Sequence, residues 1–303
     1  MDAFKLEGLI AAPFTPFHAD GSLNPDMIPQ MAHALVKNGV NGVFVCGTTG
    51  EGMSLTLQER RVVAQKWVEC AADQLRIVVH VGHTCLTDAR QLAEHAAQIG
   101  AHAVAAMAPS FFRPANAQDL ADFCAAIAAA APQLPFYYYH IPSMTGVGIP
   151  VIELLKEAVS IPNFAGVKYT HWDLMDFGQC TRFGNGRYDV LFGRDEYMLA
   201  GFGLGAEGAI GSTYCFAAPV YQRLLKAFHA GDLDTARMEQ GLAADMIATF
   251  APYGGLPAQK AMMRMIGIDC GPVRLPLRTL SAEKYEKLRS ELDTMGFFTR
   301  CVK

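Results

Sequence analysis

The sequence predicts an α/β chain, a closed (β/α)8 TIM barrel followed by a C-terminal three-helix extension. Three observations carry that reading. Short apolar runs alternate with helix-length segments from the start of the chain to about residue 230. Eight such pairs can be counted. The runs are nearly continuous in apolar residues, as parallel strands covered on both faces are. A doubly wound open sheet is the alternative, but it more often stops at about five or six strands.

In order, the strand-like runs are 9–16, 42–48, 76–82, 103–109, 135–141, 164–170, 188–193 and 208–213. The helical segments between and after them are 25–37, 56–72, 84–99, 117–131, 149–159, 174–182, 196–203 and 219–230. Polar residues at 54–58 and at Thr84, Thr87 and Asp88 sit where helices should be capped. Gly100 and Gly231 sit where helices should end. After Gly231 the alternation stops, and 232–250, 256–266 and 281–295 read as three helices without strands. The expected division is a barrel over 1–230 and a helical extension over 231–303. The stretch 269–276, rich in Gly and Pro, reads as a loop lying over a surface.

At 303 residues, 51% hydrophobic and 18% charged, the chain has ample material for a core. A net charge of −4 argues against nucleic acid or an acidic membrane surface as a partner. The first residues lack a basic-then-apolar signal pattern, and no apolar run is long enough to span a bilayer. A soluble, cytoplasmic protein is expected. The eight cysteines are scattered, without a Cys-x-x-Cys pair, and read as reduced and mostly buried thiols.

Three motifs fail on context. Gly201, Gly203 and Ala206 match a dinucleotide-binding spacing, but a helix precedes them and a strand follows, the reverse of what that motif needs. The 47–52 stretch lacks the Lys-Ser/Thr ending of a P-loop. His80 and His83 lie three apart on a strand and point to opposite faces. No cofactor and no metal is expected.

Function should gather at the C-terminal strand ends, where barrels of this class carry their sites. Lys168 lies near the end of the apolar run 164–170, and burial of a lysine favours the neutral, nucleophilic amine. The alternative is a lysine ion-paired with a carboxylate. Thr170 shares its face. Strand ends also bring Thr48 and Thr49, a tyrosine of the Tyr137-Tyr138-Tyr139 run, Gly193, Asp195 and Glu196, and Ser212. This set suits imine chemistry on a polar keto acid. The amine attacks a ketone, the protonated imine accepts electrons from a breaking C–C bond, and a phenol moves the aldol proton. Asp195 and Glu196 could accept hydrogen bonds from a polyol chain or could cap the next helix. His140 reads as a hydrogen-bonded structural histidine, and Glu51 as a brace for the loop after strand 2.

At these residues the chain resembles the N-acetylneuraminate lyase and dihydrodipicolinate synthase superfamily of class I aldolases. The markers are Gly47-Thr-Thr-Gly-Glu51, Tyr139-His-Ile-Pro142, Gly166-Val-Lys168 and Gly208-Ala-Ile-Gly-Ser212. The segments 137–146, 173–180, 192–196 and 211–214 are similar to the N-acetylneuraminate lyase branch, especially its animal type. The resemblance implies Lys168 as Schiff-base lysine and Tyr139 as proton-transfer tyrosine. It implies Thr48 and Thr49 as holders of the substrate carboxylate. Thr170, Gly193, Asp195, Glu196 and Ser212 would contact the sugar-derived chain. The implied reaction is reversible cleavage of open-chain N-acetylneuraminate to N-acetylmannosamine and pyruvate, by a homotetramer built as a dimer of dimers. Another 2-keto acid aldolase, of the 2-keto-3-deoxygluconate type, and a non-catalytic sugar-acid binding barrel are the alternatives.

Two positions depart from the family pattern. Met144 stands where many synthases carry an arginine that binds a substrate carboxylate, which argues against a dicarboxylate product. Phe111 and Phe112 occupy the loop after strand 4, where many relatives place a tyrosine that reaches a neighbouring subunit's site.

Overall fold

The computed structural model describes residues 4–302; Met1–Ala3 and Lys303, the outermost positions of the two expected segments, lie outside them. Eight parallel strands close into a barrel in chain order, with the first pairing the eighth. They are β1 (Gly8–Ala11), β2 (Gly42–Val45), β3 (Arg76–His80), β4 (Ala103–Met107), β5 (Phe136–His140), β6 (Phe164–Tyr169), β7 (Asp189–Phe192) and β8 (Gly208–Gly211). Around it run α1 (Ile28–Lys37), α2 (Leu57–Ala71), α3 (Leu86–Gln98), α4 (Ala117–Ala128), α5 (Pro142–Thr145), α6 (Val151–Glu157), α7 (Leu174–Arg182), α8 (Met198–Gly203) and α9 (Tyr214–His229). The extension is α10 (Leu233–Phe250), α11 (Leu256–Met265), α12 (Ala282–Thr294) and a π-helical turn at Phe297–Cys301. The boundary expected at residue 230 falls between α9 and α10.

Alternation along each strand sorts side chains into two layers. Ile10, Phe44, Val78, Tyr137, Tyr139 and Ile210 fill the barrel interior. Val43, Val45, Tyr138, Val167 and Tyr169 face outward, into the layer under the helices. Leu242, Met246, Phe250 and Leu288 of the extension join that same outer layer.

One irregularity sets the chemistry. Phe136 pairs with Phe164, yet Tyr137 pairs with Gly166 and Tyr139 with Lys168. An unbroken register would put Val167 beside Tyr139 and turn Lys168 outward. One extra residue of β6, taken up between the first two pairs, brings the lysine onto Tyr139's face.

Element ends differ from the sequence expectation for physical reasons. β1 stops at Ala11 rather than 16, because Pro13 and Pro16 cannot donate to the ladder. Phe14 and Phe17 are buried nonetheless, as loop residues. α9 begins at Tyr214, before Pro219, and takes the proline inside with a non-helical break at Ala217. α3 is not capped by Thr84. Its N-cap is Cys85, which makes no side-chain capping bond. Thr56 and Glu59 do form a reciprocal capping box on α2. The 269–276 loop lies over the β1–α1 connection. The Phe17 N–H donates to the Cys270 carbonyl at 3.1 Å, and a Cβ on left-handed Gly271 would overlap the Phe17 carbonyl.

Candidate active site

A cavity of about 310 Å³ opens at the C-terminal strand ends. All the site residues expected from sequence line it: Lys168, Tyr139, Thr48, Thr49, Thr170, Gly193, Asp195, Glu196 and Ser212. A larger cavity, about 750 Å³, lies between the β1–α1 connection, α11 and α12, and contains none of them.

Lys168 is 4% exposed. Its Nζ sits 4.0 Å from the centre of the Tyr139 ring and 4.2 Å from that of Phe44. No hydrogen bond or ion pair reaches it from the described residues, so the ion-paired alternative does not hold. Burial pulls its pKa down to about 7, against a smaller opposing pull from Asp195. An amine with a pKa of about 7 is about half free base at neutral pH, which supplies the nucleophile that attack on a carbonyl needs.

Tyr139 shares a 3.2 Å hydrogen bond with Thr48 Oγ1. Burial pushes the phenol up to about 12, partly offset by the hydrogen bond to Thr48 and the nearby Thr170 hydroxyl. The tyrosine is therefore protonated at neutral pH and can act as a relay. Its ring stands edge-on to His80 and Phe44, at centroid distances of 5.8 and 5.4 Å. His80 is kept neutral by burial and by nearby Arg60.

The loop carrying Thr48 and Thr49 is bracketed by two non-glycine residues in the left-handed region, Cys46 at φ 59° and Glu51 at φ 52°. Such conformations persist where neighbours hold them. Here His80 Nδ1 lies 3.1 Å from the Cys46 carbonyl. Glu51 pairs with Lys260 of α11 at 2.8 Å and accepts the Arg274 N–H at 2.8 Å. Glu51 is thus a brace, and it ties the threonine loop to the extension.

The two adjacent acids differ. Asp195 is buried, and its Oδ2 accepts the N–H and hydroxyl of Thr213 at 3.1 and 2.5 Å. Its Oδ1 is also buried, without a hydrogen-bond partner among the described residues. Burial raises its pKa. Glu196 stays part-exposed and pairs with Arg194 at 2.6 Å. Glycines make room for this lining. A Cβ at Gly193 would overlap Thr170 Oγ1, and one at Gly211 would overlap the Asp195 carboxylate.

His140 departs from its expectation. Its Nδ1 is buried and unpartnered among the described residues, and the ring packs 5.1 Å from Tyr169 and 5.9 Å from Tyr138. Burial lowers its pKa to about 3, so it packs as a neutral aromatic ring. Sequence reasoning missed the extension's share of the site. Ile247, Phe250, Leu256 and Gln259 line the cavity, as do Met144 and Arg194. Helical periodicity marks α10 and α11 as amphipathic but does not say that one end of that face meets the barrel mouth.

Phe111 and Phe112, 79% and 84% exposed, stand outside this cavity on the loop after β4. Among metal-ligand types, His83, Cys85 and Asp88 bring atoms within 4.8 Å of one another beyond β3. There His83 Nδ1 already accepts the Cys85 N–H at 3.0 Å.

The family model described as the dihydrodipicolinate synthetase family matches residues 5–295. The N-acetylneuraminate lyase of Rattus norvegicus is 43% identical over 97% of this chain and 94% of its own length. That of Homo sapiens is 42% identical over the same shares. The solved structure of Proteus mirabilis N-acetylneuraminate lyase is 40% identical, covers 97% of this chain and 100% of its own, and superposes with a TM-score of 0.94.

Proposed function

The chain belongs to the dihydrodipicolinate synthetase family, as a lyase akin to its N-acetylneuraminate members, and from that premise we propose a Schiff-base mechanism acting on N-acetylneuraminate. Lys168 Nζ attacks the C2 ketone of the open-chain substrate and loses water to form a protonated imine. The C3–C4 bond breaks, its electron pair flows into the imine, and the C4 hydroxyl becomes the aldehyde of N-acetylmannosamine. The C4 hydroxyl proton passes through Tyr139 toward the substrate carboxylate, held at Thr48 and Thr49. The enamine is protonated at C3 and hydrolysed, releasing pyruvate and regenerating the lysine.

The observation that carries this reading is the unpaired, buried Lys168 amine facing Tyr139 inside a polar-walled cavity. Thr170, Gly193, Glu196 and Ser212 supply the wall for the polyol. Asp195 belongs to the same wall, with its Oδ2 bonded to Thr213. Met144 at the cavity edge offers no cation for a second substrate carboxylate, which favours a polyol aldehyde over a dicarboxylate partner.

The resemblance further supports a homotetramer, and the exposed Phe111–Phe112 pair supports an assembly that covers it. A cytoplasmic setting accords with eight free cysteines. Among the described residues no helix is long and apolar enough to cross a membrane.

The test is mass spectrometry after treatment with pyruvate and borohydride, followed by peptide mapping and a cleavage assay on N-acetylneuraminate. A reduced adduct on Lys168 with release of N-acetylmannosamine is expected. An adduct on another residue, or none, would sink the mechanism.

A further inference from the structure

Of the two acids beside β7, both of which line the cavity, Glu196 is the part-exposed one. Asp195 is buried, with one carboxylate oxygen bonded to Thr213. Glu196 Oε1 is tied to Arg194 Nη2 at 2.6 Å, and its Oε2 has no partner among the described residues. The side chains of the pair are only 19% and 22% exposed. The helix-surface pair Lys156–Glu153, by contrast, is 51% and 48% exposed. Screening is weaker at the enclosed pair, so its geometry is better defined.

Arg194 is itself held. Its guanidinium carbon lies 3.3 Å from the centre of the Trp172 ring, a stacked cation–π contact. Trp172 in turn meets Tyr197 edge-on at 5.6 Å. A planar guanidinium flat against an indole keeps few orientations, and the carboxylate it binds inherits that restriction. Trp172 is 56% exposed and Tyr197 49%, so this aromatic prop stands at the surface of the barrel mouth. Its product is one carboxylate fixed at the mouth of a cavity whose amine lies at the bottom.

We propose that Arg194, propped on Trp172, is a specificity-determining residue that holds Glu196 to accept the far hydroxyls of a long polyhydroxylated 2-keto acid. This rests on the lyase reading above. A short keto acid bound at Lys168 ends before it reaches the pair, whereas a nine-carbon one extends to it. The pair thus sets chain-length preference without taking part in bond cleavage.

Steady-state kinetics of the full chain on N-acetylneuraminate and on 2-keto-3-deoxygluconate test it. Arg194→Met should raise KM for the nine-carbon acid about tenfold, equivalent to about 1.4 kcal/mol. The six-carbon acid should change by less than about threefold, and kcat should fall little on either, because a binding contact common to ground and transition states is lost. Arg194→Lys should recover only part, since an ammonium neither stacks nor forks. Trp172→Leu, which leaves Glu196 and Arg194 in place, should shift the nine-carbon KM in the same direction by about threefold. The double variant Arg194→Met/Glu196→Gln should be no worse than its worse single member. Borohydride labelling of Lys168 with pyruvate verifies that each variant is folded. Equal losses on both substrates, or a nine-carbon KM within about twofold of the parent in both Arg194→Met and Trp172→Leu, would overturn the assignment. A parent enzyme that does not cleave N-acetylneuraminate at all would overturn the lyase reading and this assignment with it.

Discussion

Lys168 and Lys260 are both buried at 4% exposure and each lies over a phenylalanine ring, yet their oxygen partners differ. Lys260 Nζ has three oxygen partners: the Glu51 carboxylate at 2.8 Å, the Thr15 carbonyl at 2.9 Å and the Pro272 carbonyl at 2.7 Å. The two carbonyls accept hydrogen bonds from the ammonium, and the carboxylate balances its charge as an ion pair. Lys168 Nζ has two aromatic faces and no oxygen. Burial lowers both pKa values, but at Lys260 the carboxylate acts against that fall. Burial alone therefore does not make a lysine reactive. Withholding its partner does, and the same barrel contains both cases.

The sharpest way to break the comparison is to remove each head group. Lys168→Met should cut turnover by about a thousandfold or more, as loss of a covalent nucleophile does. The thermal midpoint at neutral pH should hold or rise, because an unpaired buried amine is replaced by an apolar chain of similar length. A variant that lost stability would show that Lys168 is structural. Lys260→Met should do the opposite. It strands Glu51 in the interior and should cost about 3–5 kcal/mol in urea unfolding. If Lys260→Met were neutral in the denaturant midpoint, the contrast would fail.

The smallest effect is in pH. With the Lys168 amine near 7, the reactive free base drops about tenfold for each pH unit below that value. Log kcat/KM should then climb with unit slope up to about pH 7 and flatten above it. A flat profile from about pH 5 to 9 would remove the free amine from the rate. Linkage runs the same way. Between about 7 and the ordinary lysine value of 10.5, the unfolded chain carries a proton that the folded chain lacks. This group's contribution to stability therefore rises with pH across that window. Lys168→Met should abolish that part of the slope.

The barrel was legible because its strands are apolar throughout and its helices amphipathic, patterns that survive without knowledge of tertiary contacts. The site was legible because its polar residues all fall at strand ends. What stayed hidden depends on distant contacts. The register shift between β5 and β6 leaves no trace in composition, yet it decides which way Lys168 faces. The partner of Glu51 is Lys260, most of a barrel away along the chain. The His140 environment and the contribution of α11 to the cavity were hidden for the same reason. Proline placement misled twice: Pro13 and Pro16 shortened β1, while Pro219, expected to open a helix, lies inside α9.

Gly193 and Gly211 bear on how this pocket can change. The space a side chain would need at 193 is held by Thr170, and at 211 by Asp195. Each glycine is thus locked to a residue on a neighbouring strand or its loop. A mutational route to a new substrate cannot begin at either glycine. At 211 it has to open the neighbour first, by shortening Asp195, whereas at 193 the Tyr169 backbone carbonyl, 2.9 Å from the added Cβ, blocks the way even after Thr170→Ala. Libraries that vary single positions will score 193 and 211 as intolerant, while a paired library at 195/211 reaches variants that the single-site route excludes.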